Sequence, residues 1–233
     1  MINTLVLLAV AVVAALYTIA RAFRPYFNCW GATKEEHHLR FPGEEFLADR
    51  TIASTHAITI RSQPSEIWPW LLQVGVGRGG FYSYSWLENL VGCRVRNVDK
   101  IIPELQTLKV GDYVILHPKA PPLKVTYLEA DRALAMTGWM FLLKPINDGE
   151  TRLISRTYVI QPDESGKLSA RFSNFMMKSV FFEFAHFVMG RKQLKEIKRL
   201  VEGHVRRKNL DRLSFGLEGS REILTQSFAR SKH

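Results

Sequence analysis

The first twenty residues constrain this chain more than any other feature. Ile2 to Ala20 is a run of 19 residues without a charged side chain. As an α-helix rising about 1.5 Å per residue, it is roughly 28 Å long, close to the hydrocarbon thickness of a bilayer. A signal peptide would begin with a basic segment, which the first four residues lack, and a buried core helix would show a polar stripe. The run therefore predicts a single transmembrane anchor, with residues 2–20 in the membrane and residues 1–22 as a separate unit.

The charges that flank this run predict its orientation. Arg21 and Arg24 follow the run and no positive side chain precedes it, so the positive-inside rule places the rest of the chain in the cytoplasm. The formal net charge is +10. Near an anionic membrane surface each Lys or Arg contributes about 1 kcal/mol of attraction. No nucleic-acid-binding motif accompanies the basic excess, so we expect headgroups rather than nucleic acid as partners. The sequence leaves the oligomeric state open.

After a polar connector at residues 23–50, the chain changes to an alternating pattern. The stretch TIASTHAITIR places Ile52, His56, Ile58 and Ile60 on one face, which is typical of a β-strand. Two short helices are predicted next, the first around residues 64–74 and the second around residues 86–91.

Beyond about residue 110 the chain is rich in strands. Six apolar or alternating stretches are separated by turn residues, among them Asn147-Asp148-Gly149 and Asp163-Glu-Ser-Gly166. A long amphipathic helix follows at about residues 174–208, and a basic, mobile tail is expected over 206–233. The order predicts an α+β fold over residues 51–205, with a curved antiparallel sheet of about seven strands around the long C-terminal helix.

Five stretches of the chain carry a family resemblance, namely Trp30-Gly-Ala-Thr33, Phe41-Pro-Gly43, QVGVGRGGFYSYSWLENLVG, Ile102-Pro-Glu-Leu-Gln106 and FEFAHFVMGRKQLKEIKR. On these stretches, over about residues 31–203, the chain resembles the START-like superfamily, also called SRPBCC or polyketide-cyclase-like, in a bacterial branch with an N-terminal membrane span. The resemblance implies the helix-grip fold, with an apolar cavity between sheet and helix for a hydrophobic small molecule or lipid. Members of the superfamily bind or transfer lipids, bind hormones, or cyclise and dehydrate polyketides. Ser85 and Phe184 depart from the branch, which has an acidic residue and a proline at these positions.

Three glycines, Gly75, Gly77 and Gly80, form the G-x-G-x-x-G pattern of dinucleotide-binding turns. That function requires a preceding buried strand and a following helix within a βαβ unit, and neither context is present. We instead expect the glycines to form a tight turn after the first short helix. The turn would bring ligand-contacting side chains to the cavity mouth, with Arg78 either meeting an anionic group or exposed in the loop. The aromatic candidates are Phe81, Tyr82, Tyr84 and Trp86.

The strongest polar candidates for chemistry are Glu183 and His186, which are three residues apart on the long helix and share its inward stripe. An inward carboxylate beside an imidazole among phenylalanines must be paired to be tolerated. Two interpretations remain open. The pair recognises or transforms a ligand, as acid and base in a cyclase or dehydratase, or it is a structural pair that ties the helix to the glycine turn through Tyr82 or Arg78.

The remaining candidates are possible cavity walls, namely His56, Tyr127, Trp139 and Phe141, although core packing explains them as well. No nucleophile has a recognisable base, and no spacing of His, Cys, Asp or Glu predicts a metal or cofactor. The leading hypothesis is therefore a membrane-anchored module that binds a hydrophobic or amphiphilic molecule in an internal cavity. The alternative is an enzyme that uses His186 and Glu183, so the sequence alone leaves enzymatic activity open.

Overall fold

The computed structural model describes residues 2–47, 51–158 and 180–230. It has one extended antiparallel sheet, a very long last helix and a long first helix. Short 3₁₀ turns lie at Glu44–Leu47 and Pro103–Leu105. The helices are α1 (Ile2–Asn28), α2 (Lys34–His38), α3 (Pro64–Leu72), α4 (Ser85–Leu90) and α5 (Val180–Arg230). The strands are β1 (Ile52–Ile60), β2 (Tyr113–Val114), β3 (Leu123–Glu129), β4 (Ala133–Met136), β5 (Trp139–Asn147) and β6 (Glu150–Tyr158).

The strand order in the sheet is β1-β6-β5-β4-β3-β2, with every neighbour antiparallel. The turn at Asn147-Asp148-Gly149 joins β5 to β6, which confirms the predicted hairpin. The described part of the chain contributes six strands rather than the expected seven. The stretch predicted as the last strand, and the predicted turn at 163–166, lie outside the described residues.

The inner face of the sheet is covered by α3 and by the middle of α5. Leu194, Ile197 and Val201 of α5 are fully buried against Phe141 and Leu153 of the sheet, in a large continuous apolar cluster. Each fully buried side chain of this kind contributes about 1.5–3 kcal/mol. Over the described residues this part of the helix–sheet interface is therefore packed, where the sequence led us to expect a cavity.

The outer face of the sheet is covered by residues 30–47, which we call the connector layer. Phe41 and Leu47 pack on Ala135, Met140 and Ile154 in a second apolar cluster. A capping box starts α2, because the Thr33 hydroxyl accepts from the Glu36 N–H and the Glu36 carboxylate accepts from the Thr33 N–H. The connector is thus a structural layer of the domain. Its mostly polar sequence did not indicate that Phe41 and Leu47 pack against the sheet.

Arg156 of β6 fixes the connector layer to the sheet. Its side chain is 1% exposed, lies 4.0 Å from the Phe41 ring centroid and forms an ion pair with Glu44 at 3.1 Å. Its guanidinium also donates to three connector carbonyls, those of Glu36, His37 and Leu39, at 2.7–2.9 Å. The charge is buried but has an acceptor on every side.

Two β-bulges correct the face assignments made from alternation. A register shift between Ile52 and Ser54 moves Ile52 to the outer face, while His56, Ile58 and Ile60 keep the predicted inner position. A second shift between Val125 and Tyr127 turns Tyr127 to the outer face, against the connector layer. A bulge adds one residue and reverses the alternation beyond it, which period-two reasoning does not anticipate.

The two long helices extend further than the sequence indicated. By length and composition, Thr4–Asn28 is suited to crossing a membrane, with a mean hydropathy of 2.3 and no part of the apolar window buried. Helix α5 has 51 residues and continues to Arg230 through the segment that we expected to be a mobile tail. That segment contains no proline and many good helix formers, so nothing in it ends the helix.

Candidate functional site

The end of α1 packs against the start of α5. Arg24 forms an ion pair with Glu183, whose side chain is mostly buried. The Phe27 ring stacks on Phe187 at 5.2 Å and meets the edge of Phe184 at 5.4 Å. We call this contact the helix junction. It gives Glu183 a partner on the first helix of the chain, rather than on the glycine turn.

A polar layer lies directly inside the helix junction and consists of Ser54, His56, Thr157 and His186. His186 Nε2 lies 3.1 Å from the Ser54 hydroxyl and 3.2 Å from the Thr157 hydroxyl, and these hydroxyls are 2.8 Å apart. His56 donates from Nε2 to the Phe27 carbonyl at 2.8 Å. That carbonyl is in the last turn of α1, where no helical N–H follows to bond it. The polar layer therefore ties α1, α5, β1 and β6 together.

Both histidines of the polar layer are held neutral. Withdrawal from water, together with the smaller effect of the neighbouring His56, lowers the pKa of His186 to about 4. Burial also lowers the pKa of His56, although its bond to the Phe27 carbonyl opposes this. The rings stack at 5.8 Å. Gly190 permits this arrangement, because a Cβ there would lie 2.8 Å from His56 Nδ1.

These contacts bear on the predicted acid–base pair. Glu183 is engaged by Arg24, and His186 has two hydroxyl neighbours and a pKa well below neutrality. Each residue thus has a structural partner of its own. The arrangement favours the structural interpretation of the two residues, with α1 in place of the glycine turn as the element that they secure.

The glycine turn follows α3 rather than a strand, as the mechanical interpretation predicted. Gly75 and Gly80 exchange both backbone hydrogen bonds, and the Gly79 N–H donates to the Gln73 carbonyl, so most of the turn's donors are used internally. Gly80 has a φ of +83°, and a Cβ there would lie 2.4 Å from Asn97 Oδ1. That oxygen accepts from the N–H groups of Phe81 and Tyr82, at 3.0 and 2.9 Å. The backbone hydrogen bonds of the turn thus fix the position of Tyr82.

Two predicted ligand residues of this turn are used for structure. Arg78 donates from Nη2 to the carbonyls of Leu72 and Leu105, at 2.8 and 3.0 Å. The Tyr82 hydroxyl accepts from Gln73 Nε2 at 2.7 Å, in the core beside Trp70. Burial raises the pKa of Tyr82, so its phenol stays protonated. Gln73 also bonds the Lys100 carbonyl and the Ile102 N–H, which ties α3 to the following loop.

A cleft opens between the glycine turn and α5, with a volume of about 260 Å³. Its apolar walls are Val98, Leu200 and the Tyr82 ring. Its polar lining is Ser83, Asn97, Asp99, Lys192, Glu196 and Arg199. Lys192 and Arg199 both form ion pairs with Glu196. With Asp99 as the second carboxylate of the lining, two positive and two negative side chains leave the cleft close to neutral.

The floor of this cleft contains Ser83, which forms a poorly bonded buried pair with Glu88 behind it. Ser83 is 6% exposed, and its hydroxyl forms no hydrogen bond of ordinary geometry with a described residue. Behind it lies Glu88 of α4, which is 2% exposed and whose carboxylate oxygens both lack a bond of ordinary geometry in the described structure. Burial raises the pKa of Glu88 to about 7, and the nearby Ser83 hydroxyl moderates this rise. Most buried polar groups are bonded, so this pair stands out.

Sequence reasoning missed Glu88. A glutamate in a six-residue helix suggests exposure, and no pattern around it indicates burial. The other aromatic candidates are divided by the structure. Trp139 and Phe141 lie in the inner core and Phe81 packs against it, whereas Tyr84 and Trp86 are exposed. Tyr127 is on the outer face and donates its hydroxyl to Glu129. The structure therefore does not bring the predicted residues together around one cavity.

Comparison with known proteins adds little. No protein-family model matches the chain, and no curated protein matches it. Cgl2372, a polyketide cyclase-like protein of Corynebacterium glutamicum, is 14% identical, with 65% of this chain and 91% of that chain covered and a TM-score of 0.36. EF2215, a conserved protein of unknown function from Enterococcus faecalis, is 14% identical, with 74% and 98% covered and a TM-score of 0.30. TM-scores this low carry no argument about the function of this chain.

Proposed function

We propose that this chain is a membrane-anchored binding module that holds the polar group of a small amphiphile in the cleft between the glycine turn and α5. The observation that carries the proposal is the floor of the cleft, where the Ser83 hydroxyl lies buried without a hydrogen bond of ordinary geometry to a described residue and the buried Glu88 carboxyl lies behind it. A buried polar group without a hydrogen bond is costly, and a ligand with donors and acceptors would supply the missing partners.

The size and charge of the cleft restrict the ligand. Pockets for drug-sized ligands measure about 300–1,000 Å³, and this cleft has about 260 Å³. It therefore suits a headgroup or a small metabolite rather than a whole lipid. Since two cations and two carboxylates balance at its walls, an uncharged or zwitterionic group fits better than a strongly anionic one.

The exposed apolar helix supports the membrane part of the proposal. Every large apolar side chain from Leu5 to Ile19 that the structure describes is at least half exposed, which is costly in water and favourable in lipid. With Arg21 and Arg24 at its C-terminal flank, we place the domain on the cytoplasmic side. Digestion of right-side-out and inverted vesicles with a protease checks this orientation, because the domain should be cleaved only in the inverted ones.

Native mass spectrometry of the full chain, extracted with its surrounding lipid into nanodiscs, tests the ligand proposal. We expect a bound mass of headgroup or metabolite size on the wild-type chain. Ser83→Leu should remove it by filling the cleft, and Glu88→Gln should weaken it while keeping the shape. Arg132→Ala, on an exposed ion pair far along the sheet, should leave it unchanged. A bare wild-type mass, or the same bound mass on a folded Ser83→Leu chain, would contradict the proposal.

A further inference from the structure

Helices α1 and α5 run in the same direction where they touch. Arg24 contacts Glu183 and Phe27 contacts Phe187, so residue numbers rise together along both helices. The apolar segment of α1 lies on the N-terminal side of the helix junction. The first turns of α5 therefore point back along α1, towards the apolar segment.

The helix junction fixes the height of α5 relative to α1. Beyond the ion pair, Tyr26 and Phe27 make ring contacts with Phe187 at 5.7 and 5.2 Å, and His56 holds the Phe27 carbonyl. Phe27 lies six residues past Arg21, or about 9 Å along the helix axis. The headgroup region on each side of a bilayer is roughly 5–8 Å thick. Phe184, which packs on Phe27, therefore lies near the outer limit of that region if Arg21 marks the boundary.

The side chains at this level form an apolar surface that faces solvent in the folded chain. Phe184 is 47% exposed, and Phe23 and Tyr26 are more than half exposed. This surface continues the exposed apolar face of α1, with Arg21 and Arg24 beside it to attract anionic headgroups. In a helix the Cα–Cβ bonds tilt towards the N-terminus. The Phe184 side chain therefore leans in the direction of the apolar segment.

We infer that the start of α5 is a second membrane-contacting element, with Phe184 seated among lipid headgroups. The inference rests on the membrane anchoring proposed above and goes beyond it. Because α5 also supplies one wall of the cleft, through Lys192, Glu196 and Leu200, the cleft is held at a set distance from the headgroup layer. Lipid headgroups then become the nearest source of a ligand.

Depth-dependent fluorescence quenching tests the placement of Phe184. Cys29→Ser and Cys93→Ala remove the native thiols, and an environment-sensitive dye is attached to Phe184→Cys in the full chain. The protein is reconstituted in phosphatidylcholine–phosphatidylglycerol vesicles with spin labels near the headgroup or near the end of the acyl chain. Dye at Leu8→Cys reports the inserted part of α1. Dye at Lys195→Cys, an exposed α5 position about 16 Å beyond Phe184, is the matched control.

We expect the dye at position 184 to be quenched more by the shallow label than by the deep one. The dye at position 8 should show the reverse order, and the dye at 195 should be quenched by neither. If position 8 is quenched and 184 is not, the inference fails while the membrane anchor stands; a blue-shifted, unquenched dye would show that protein covers the site. Equal quenching at 184 and 195 would place α5 flat on the surface and also overturn it. No quenching at any position would remove the anchor itself.

Discussion

Arg156 and Glu88 are both withdrawn from water, but their surroundings are opposite. Arg156, between the sheet and the connector layer, has an anionic partner, three carbonyl acceptors and an aromatic ring. Glu88, behind the cleft, has a single hydroxyl nearby and a raised pKa. Both positions carry a desolvation penalty, and only the first offsets it within the described structure.

Under the proposed function, this difference distinguishes a structural site from a binding site. A buried charge whose hydrogen bonds are all made indicates a structural role, because its removal leaves its partners without hydrogen bonds. A buried charge without partners persists only where something else compensates, and a bound molecule is such a compensation. The polar layer at the helix junction resembles the Arg156 site in this respect, since its hydroxyls and imidazoles bond one another and α1.

Replacement of Arg156 should have the largest effect. Arg156→Met leaves the Glu44 carboxylate and three carbonyls of the connector layer without their donor, so we expect a loss of about 3–5 kcal/mol in the free energy of unfolding. Urea denaturation of the full chain in detergent measures this. Arg132→Met removes an exposed ion pair and should cost less than about 1 kcal/mol. An equal loss of stability in the two variants would show that the Arg156 contacts contribute no more than an exposed ion pair.

Glu88 should make the protein less stable as the pH rises. Its pKa is about 7 in the folded protein and 4.5 ordinarily. Between these values the unfolded chain ionises first, so the free energy of unfolding falls by on the order of 2–3 kcal/mol. Glu88→Gln should remove this contribution and stabilise the protein at pH 8. A wild-type slope that Glu88→Gln leaves unaltered would mean that Glu88 has a partner after all.

His186 should give the opposite slope. Its pKa is about 4 in the folded protein and 6.5 ordinarily, so the unfolded chain binds the extra proton first. Its contribution is complete above pH 6.5 and is lost as the pH falls towards 4, by on the order of 3 kcal/mol. His186→Asn should remove this contribution, which leaves the opposing slope of Glu88 uncompensated around pH 5–6. Because the two slopes oppose each other around pH 5–6, the wild-type profile should be flatter than that of either variant.

Substitution of two glycines of α5, Gly190 and Gly203, should have the smallest effects on stability, and the two variants control for each other. Gly190→Ala would bring a methyl group within 2.8 Å of His56 Nδ1, whereas Gly203→Ala would meet nothing within 4 Å. We expect Gly190→Ala to destabilise by about 1–2 kcal/mol through crowding of the polar layer. Gly203→Ala should stabilise by about 0.5–1 kcal/mol through helix propensity alone. Thermal unfolding of both variants is the measurement, and stabilisation by Gly190→Ala would show that the polar layer is loose.

The sequence predicted the elements much better than the contacts. Alternation and turn residues are local, so the first strand, the Asn147–Gly149 hairpin and the long last helix were all predictable. The bulges beside Ile52 and Tyr127 depend on pairing with a distant strand, and they reversed the faces of these two residues. The alternation pattern contains no information on such pairing.

The sequence also could not predict which residues pair with the buried charged side chains. The stripe of α5 correctly suggested that Glu183 needs a partner, but the partner lies 159 positions away on α1. Glu88 was missed because burial of a short helix depends on what packs over it. The Ser83–Glu88 pair is a property of the folded chain, and only coordinates bring it together.

The shared direction of α1 and α5 has an electrostatic consequence. Measured along the axis, Arg230 lies about 70 Å beyond Glu183, while fields from a membrane surface are screened over about 8 Å at physiological salt. If α5 rises from the headgroups at its first turn, the basic residues Arg206 and Arg207 stand about 35 Å above the level of Glu183, roughly four screening lengths. That part of the basic excess cannot be drawn to the bilayer below it, and its counter-charges must be sought in the surrounding solution.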